Sequence, residues 1–140
     1  YCEKYLHLTF NKILIEGHSA GSNFGMGVTS LSIQKSVRVS DGLMLIYPPM
    51  SCTLDSFSPS VLLSLDDVML NATSLHLILK LYAGDSVKAH CHHLFSPKFL
   101  PDEYLSKFPP CRFMVGGLDP LRDETYRISL RMLKFGIDVK

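Results

Sequence analysis

The segment that most constrains this chain is Gly17-His18-Ser19-Ala20-Gly21, because the residues on its two sides have opposite character. Before it, residues 12–16 (KILIE) are apolar and β-branched, which predicts a short buried strand ending at Gly17. After it the period changes, and Ala20, Phe24, Val28 and Leu31 fall on one face of a helix. Gly21, Gly25 and Gly27 would each weaken an isolated helix by about 1 kcal/mol against Ala. Their use here is to let that helix lie close to a sheet. The unit is therefore strand, sharp turn, helix, with a serine at the apex of the turn.

The G-x-S-x-G spacing has a mechanical reason. A nucleophilic serine must be lifted above a sheet on a strand-to-helix turn, with small neighbours so that the backbone can pass. The amide of the next residue, here Ala20, then points at a developing oxyanion, and the helix N-terminus adds favourable potential. The competing reading of the same five residues is an ordinary glycine-rich β-α turn, such as one that binds phosphate. The buried strand before the turn and the amphipathic helix after it favour Ser19 as a nucleophile.

The rest of the chain continues in the same order. Residues 42–47 read as a second strand, stopped by Pro48-Pro49. Residues 51–96 are less regular, with turn or cap signals at Ser58-Pro59-Ser60 and Asp66-Asp67 and one helix face at Leu75, Ile78, Leu79 and Tyr82. They are expected to leave the sheet and lie over one edge of it. Residues 111–115 form a third strand ending in Gly116-Gly117. Asp119 and Pro120 then suit a helix start, Ile128, Met132 and Phe135 its buried face, and Gly136 its end, before a further strand begins. This order is α/β, with a mostly parallel sheet and flanking helices, in one domain over residues 1–140.

Composition excludes several classes of partner. The chain has 140 residues with 14 basic and 13 acidic, a formal charge of +1, so nucleic acid is not an expected partner. No apolar run approaches the roughly 18 residues that span a bilayer. Cys2, Cys52, Cys91 and Cys111 form no CxxC pair and are expected as reduced, mostly buried thiols, with two bridges left open. The first residues lack an initiator Met and a signal pattern, and the last stop as a strand begins, so a piece of a longer protein is expected.

A serine nucleophile needs a base, and the base an orienting carboxylate. Asp119 stands just past the third strand, where parallel sheets gather catalytic groups, and follows Ser19 in the order Ser, Asp, His. Asp-Pro at a helix start is also a good cap, and the two roles are compatible. Asp123 and Glu124 are expected to serve the helix dipole. All six histidines, at 7, 18, 76, 90, 92 and 93, precede Asp119, and His18 should point away from the serine beside it. His90-Cys91-His92-His93 lacks a second ligand group with metal spacing, so a solvated polar loop is expected and no metal. Asn71-Ala72-Thr73 matches a glycosylation sequon but says little without secretory evidence, and Leu62-Leu63-Ser64-Leu65 is expected to be core or cap packing.

Taken together, these motifs are similar to the hormone-sensitive lipase family of α/β-hydrolase esterases. Gly17-His18-Ser19-Ala20-Gly21-Ser22-Asn23 resembles its GDSAGGN turn, and Tyr47-Pro48-Pro49 is similar too. Ser96-Pro97, Pro109-Pro110 and the run from Gly116 through Leu118-Asp119-Pro120 to Glu124 resemble its acid-bearing segment. Asp55-Ser56-Phe57-Ser58-Pro59-Ser60 and Ser64-Leu65-Asp66-Asp67 look like the eukaryotic hormone-sensitive lipases. The resemblance implies an incomplete α/β-hydrolase fold, Ser19 as nucleophile and Asp119 as triad acid. It also implies hydrolysis of acylglycerols or short-chain esters through an acyl-enzyme, without a cofactor. A cytosolic or lipid-droplet location would follow from the family.

His18 stands where the family usually has Asp, and Ser22 where it usually has Gly. The family's HGGG oxyanion segment and catalytic histidine are expected outside residues 1–140, so these residues alone should fold poorly and not turn over. A serine peptidase of the same fold is disfavoured by Ala20 and by the match around Asp119. A non-catalytic binding module or degenerate gene product is the alternative from a different class.

Overall fold

A computed structural model describes residues 2–54 and 57–140; Tyr1, and Asp55 and Ser56 of the resemblance, lie outside the described residues. Three strands form a parallel sheet in the order β1 (Leu14–His18), β2 (Gly42–Ile46), β3 (Cys111–Met114). Leu14 pairs with Gly42, and Leu43 with Cys111, so all three strands end at the same edge. Cys111 also bridges Val139 in parallel, where the expected further strand begins. The helices are α1 (Cys2–Leu6), α2 (Ala20–Gln34), α3 (Pro59–Leu63), α4 (Ala72–Ala83), α5 (Val87–His90), α6 (Asp102–Leu105) and α7 (Arg122–Lys134), with a 3-10 turn at Pro97–Phe99. The α/β class and the parallel sheet are as the sequence predicts.

The core lies on one side of the sheet. Leu43, Leu45 and Cys111 meet Met26 of α2, Ile128 and Met132 of α7, and Leu100, Leu105 and Phe108 from the segment before β3. The opposite side carries Leu14, Glu16 and His18 of β1 and Met114 of β3, all exposed. This corrects the expectation of a buried first strand. Leu14 is 74% exposed, because α2 covers only the side of β1 that presents Ile15 and Gly17. The strand also runs two residues later than expected, directly into Ser19.

The buried side of α2 differs from the apolar spacing as well. Phe24 is 56% exposed and Val28 is exposed, while Ser22, Asn23, Gly25, Met26, Thr29 and Ser30 are buried. Close approach decides this. A Cβ added at Gly25 would come 3.3 Å from Ile15 and 3.5 Å from Leu45, so the helix sits on the sheet by its smallest residues. In α7, Ile128 and Met132 are buried as expected, but Phe135 is exposed. The helix ends there, and Gly136 turns the chain at φ 75° so that Ile137 fills the core instead.

Residues 51–96 carry α3, α4 and α5 and, among those described, no strand; α4 has no fully buried residue. His90 does not belong to a solvated loop. Its ring is buried, with Nδ1 2.7 Å from the Cys52 carbonyl and Nε2 2.8 Å from the Gly84 carbonyl. Leu62, Leu63 and Leu65 are exposed, against the expectation of core or cap packing, because α3 is short and anchors itself by Ser60 and Val61. Cys52 and Cys111 are buried free thiols that burial pushes up to about 12, while Cys91 is free but exposed. Among the described residues, no helix is long and apolar enough to cross a membrane.

Candidate active site

Ser19 sits at the end of β1 with φ 50° and ψ −118°, a backbone conformation that non-glycine residues rarely adopt. Three sets of contacts hold it there. The Ser19 N–H donates to the Ile46 carbonyl at the end of β2, 2.9 Å away. The Ser19 carbonyl accepts from the amides of Ser22 and Asn23, closing the first turn of α2. The Ser22 hydroxyl accepts from the Ile46 N–H at 3.0 Å and also lies within bonding distance of the Gly17 and Ile46 carbonyls. The Ser22 that departs from the resemblance thus ties the turn to the central strand.

Gly17 is required for a different reason. A Cβ there would come 2.4 Å from the backbone of Gly21, whereas a Cβ at Gly21 meets nothing within 4 Å. The Ser19 side chain makes no capping bond to its own helix. Ala20 opens α2, so its N–H belongs to the amides that a helix start leaves without an intrahelical acceptor. Such an amide, at the positive end of the helix dipole, is suited to an anionic oxygen.

Asp119 stands in the loop between β3 and α7, at the same edge of the sheet as Ser19 and two strands away. Its Oδ1 accepts from the Leu121 N–H at 2.8 Å, and its carbonyl accepts from the Arg122 N–H. The helix starts at Arg122, later than the Asp119-Pro120 signal implies, so Asp119 fixes a turn ahead of the helix. Leu121, two residues on, lines the cleft that also contains Ser19.

The sequence marked Ser60 and Ser64 as turn signal and resemblance, but not as the residues that hold the Asp119 loop. Ser60 of α3 donates its hydroxyl to the Pro120 carbonyl at 2.8 Å and its N–H to Asp123 Oδ2 at 2.8 Å. Ser64 donates to the Leu118 carbonyl at 3.1 Å, and Arg122 donates to the Gly117 carbonyl. Burial works to raise the Asp123 carboxyl, but the bonds from Ser60 and Arg122 outweigh it and hold it below its ordinary value. The contacts of Ser60 and Ser64 join residues 54 or more apart in sequence, so no local spacing announces them.

The described histidines that carry ring contacts are engaged away from Ser19. His18 faces Tyr47 Oη at 2.9 Å and Glu16 Oε1 at 3.2 Å, as its expected orientation requires. Tyr47 itself has φ 39°, a second strained position at this edge of the sheet. His92 and His93 stack, and His93 also meets Gln34. Burial, and then the neighbouring His92, hold the His93 ring below its usual range. Among the described residues, no cluster of His, Cys, Asp or Glu is arranged for a metal ion.

The cleft beside Ser19 is apolar. Ala20, Phe24, Pro49, Cys52, Leu79 and Leu121 contribute to it. Asn23 also borders it, with its amide nitrogen donating to the Pro49 and Phe95 carbonyls at 2.8 and 2.9 Å. A strained serine over a helix start, an aspartate at the same sheet edge and an apolar cleft thus lie at one end of an α/β sheet.

Comparison with known proteins places the chain. It belongs to the alpha/beta hydrolase fold family, whose model matches residues 2–140. An esterase of Gibberella moniliformis is 23% identical over 135 residues, 96% of this chain and 42% of that protein. Hormone-sensitive lipase of Mus musculus is 37% identical over 82 residues, 59% of this chain and 11% of that protein, which upholds the resemblance read from the motifs. Among solved structures, carboxyl esterase 2 of Tuber melanosporum superposes with a TM-score of 0.88 at 25% identity, over 99% of this chain and 45% of that one. The chain thus spans less than half the length of these relatives.

Proposed function

We propose that these residues carry the nucleophile and the acid of a serine carboxylic-ester hydrolase. Ser19 attacks the ester carbonyl to form an acyl-enzyme, the Ala20 N–H stabilises the oxyanion, and Asp119 orients the histidine base. The single observation that carries this reading is the backbone of Ser19. A serine forced to φ 50°, without a capping bond and facing an apolar cleft, is strained to present its hydroxyl and not to start a helix. The relatives named as esterases and lipases support the same chemistry.

In this reading the base is a histidine outside residues 1–140, and water releases the acyl group after the alcohol leaves. Uncharged esters, from short-chain esters to acylglycerols, are the substrates. The test compares hydrolysis of p-nitrophenyl esters by this chain and by the longer protein that the resemblance implies. The longer protein is expected to hydrolyse them, to lose about 1,000-fold or more in kcat on Ser19→Ala, and to bind a serine-directed phosphonate at Ser19. The 140 residues alone are expected to be inactive. Hydrolysis that survives Ser19→Ala sinks the assignment, and alkyl binding without phosphonate labelling supports a binding module instead.

A further inference from the structure

The cleft beside Ser19, about 180 Å³, ends against two aromatic rings. Tyr82 of α4 and Phe95 stack with centroids 5.3 Å apart and planes 10° from parallel. On their far side lies a second, more open cleft of about 580 Å³, bordered by Ser86, Lys88, Ala89 and His92. Tyr82 and Phe95 line both clefts, so the stacked pair is the partition between them.

The two rings are held unequally. Phe95 is fixed: its ring lies edge-on to the buried His90 at 5.5 Å, and its carbonyl accepts from Asn23 of α2. His90 in turn bridges the Cys52 carbonyl in the inner cleft and the Gly84 carbonyl at the end of α4. Tyr82 is 66% exposed, on a helix that buries no residue completely. One leaf of the partition is anchored to the turn that carries Ser19, and the other rides on a surface helix.

The inner cleft has a composition that selects its occupant. No charged side chain of the described residues lines it, and the amide nitrogen of Asn23 is already bonded to two carbonyls. An uncharged alkyl or acyl chain is favoured there by area burial, whereas a charged arm would be desolvated without a partner.

We propose that the Tyr82–Phe95 stack is the end wall that sets how long an apolar chain the Ser19 cleft accepts. The proposal rests on the ester-hydrolase reading for the chemistry at Ser19, but not for the binding. A chain that reaches the stack stops there. A longer one must displace Tyr82, and removal of the Tyr82 ring joins the inner cleft to the outer one.

Binding and hydrolysis test the wall separately. In the first arm, straight-chain alkanols of increasing length displace a fluorescent apolar probe from the protein. Affinity is expected to rise about fourfold per methylene and to level off where the chain meets the stack. Tyr82→Ala moves that break to chains several carbons longer, Tyr82→Phe leaves it in place, and so does Leu81→Ala, a change at a residue 77% exposed and outside both clefts. In the second arm, kcat/KM for p-nitrophenyl esters of the same lengths shows the same break and the same shift. An unmoved break in Tyr82→Ala overturns the proposal, as does a shift of equal size in Leu81→Ala. A shift in alkanol binding without any Ser19-dependent hydrolysis supports the wall and defeats the hydrolase reading. Ser19-dependent hydrolysis with an unmoved break does the reverse.

Discussion

At the scale of single residues, the two glycines of the G-x-S-x-G segment are not equivalent. Both are equally visible in the sequence, and the mechanical argument for small neighbours applies to each. Only the packed backbone separates them: a Cβ at Gly17 strikes the chain at 2.4 Å, while at Gly21 it enters open space. Gly17→Ala is therefore expected to destabilise by about 2 kcal/mol or more, since backbone atoms must move. Gly21→Ala should be neutral or stabilising by up to about 1 kcal/mol, as a helix position relieved of a glycine. Urea midpoints of the longer protein that the resemblance implies check both, and losses of equal size would show that the turn is tighter than its geometry indicates. The place of Ser19 at a strand-to-helix turn was legible because the motif is local. The role of Ser22 was not, because its hydroxyl bonds to Ile46, 24 residues away.

At the scale of elements, α3 has a task out of proportion to its length: it clamps the loop that carries Asp119. The turn signals at residues 58–60 located this element in the sequence, but nothing in them pointed to the acid loop. Ser60→Ala removes the hydroxyl bond to the Pro120 carbonyl and should cost about 1 kcal/mol of stability. On the proposed ester-hydrolase reading it should lower the kcat of the longer protein more than it raises KM, because it loosens the loop of Asp119 and leaves the cleft alone. Unchanged kcat would remove α3 from the site.

The same clamp gives a pH dependence. The Asp123 carboxyl is depressed in the folded chain, so its contribution to stability is complete above the ordinary carboxylate pKa of about 4. It is lost as the pH falls through the lower folded value. Asp123→Asn should flatten that part of an acid denaturation profile, and an unaltered profile would show that other carboxylates carry it. The side of α2 that packs was less legible than its position. Apolar spacing indicated Phe24 and Val28, but a helix that must approach a sheet within contact of Gly25 buries its small residues, and Phe24 is left to line the cleft.

At the scale of the whole molecule, the α/β order was readable because each strand and helix announces itself locally. Which sheet side is covered depends on elements far apart in sequence. The helices of the core gather on one side, and the other shows Leu14 and Met114, the latter 54% exposed. Leu62, Leu63, Val68, Met69, Leu77 and Leu81 add exposed apolar surface on the excursion. A chain of this size with so much uncovered apolar area, and an edge strand beside it, favours association over a monomer. The 140 residues in isolation are therefore expected to sediment as concentration-dependent oligomers and to bind a polarity-sensitive dye. Leu14→Glu and Met114→Lys place charges on the bare sheet side and should lower both signals, whereas Phe135→Lys, at the far end of α7, should change neither. A monomer that melts cooperatively, independent of concentration and without dye binding, would mean that this sheet side tolerates water, and that its exposure needs no covering partner.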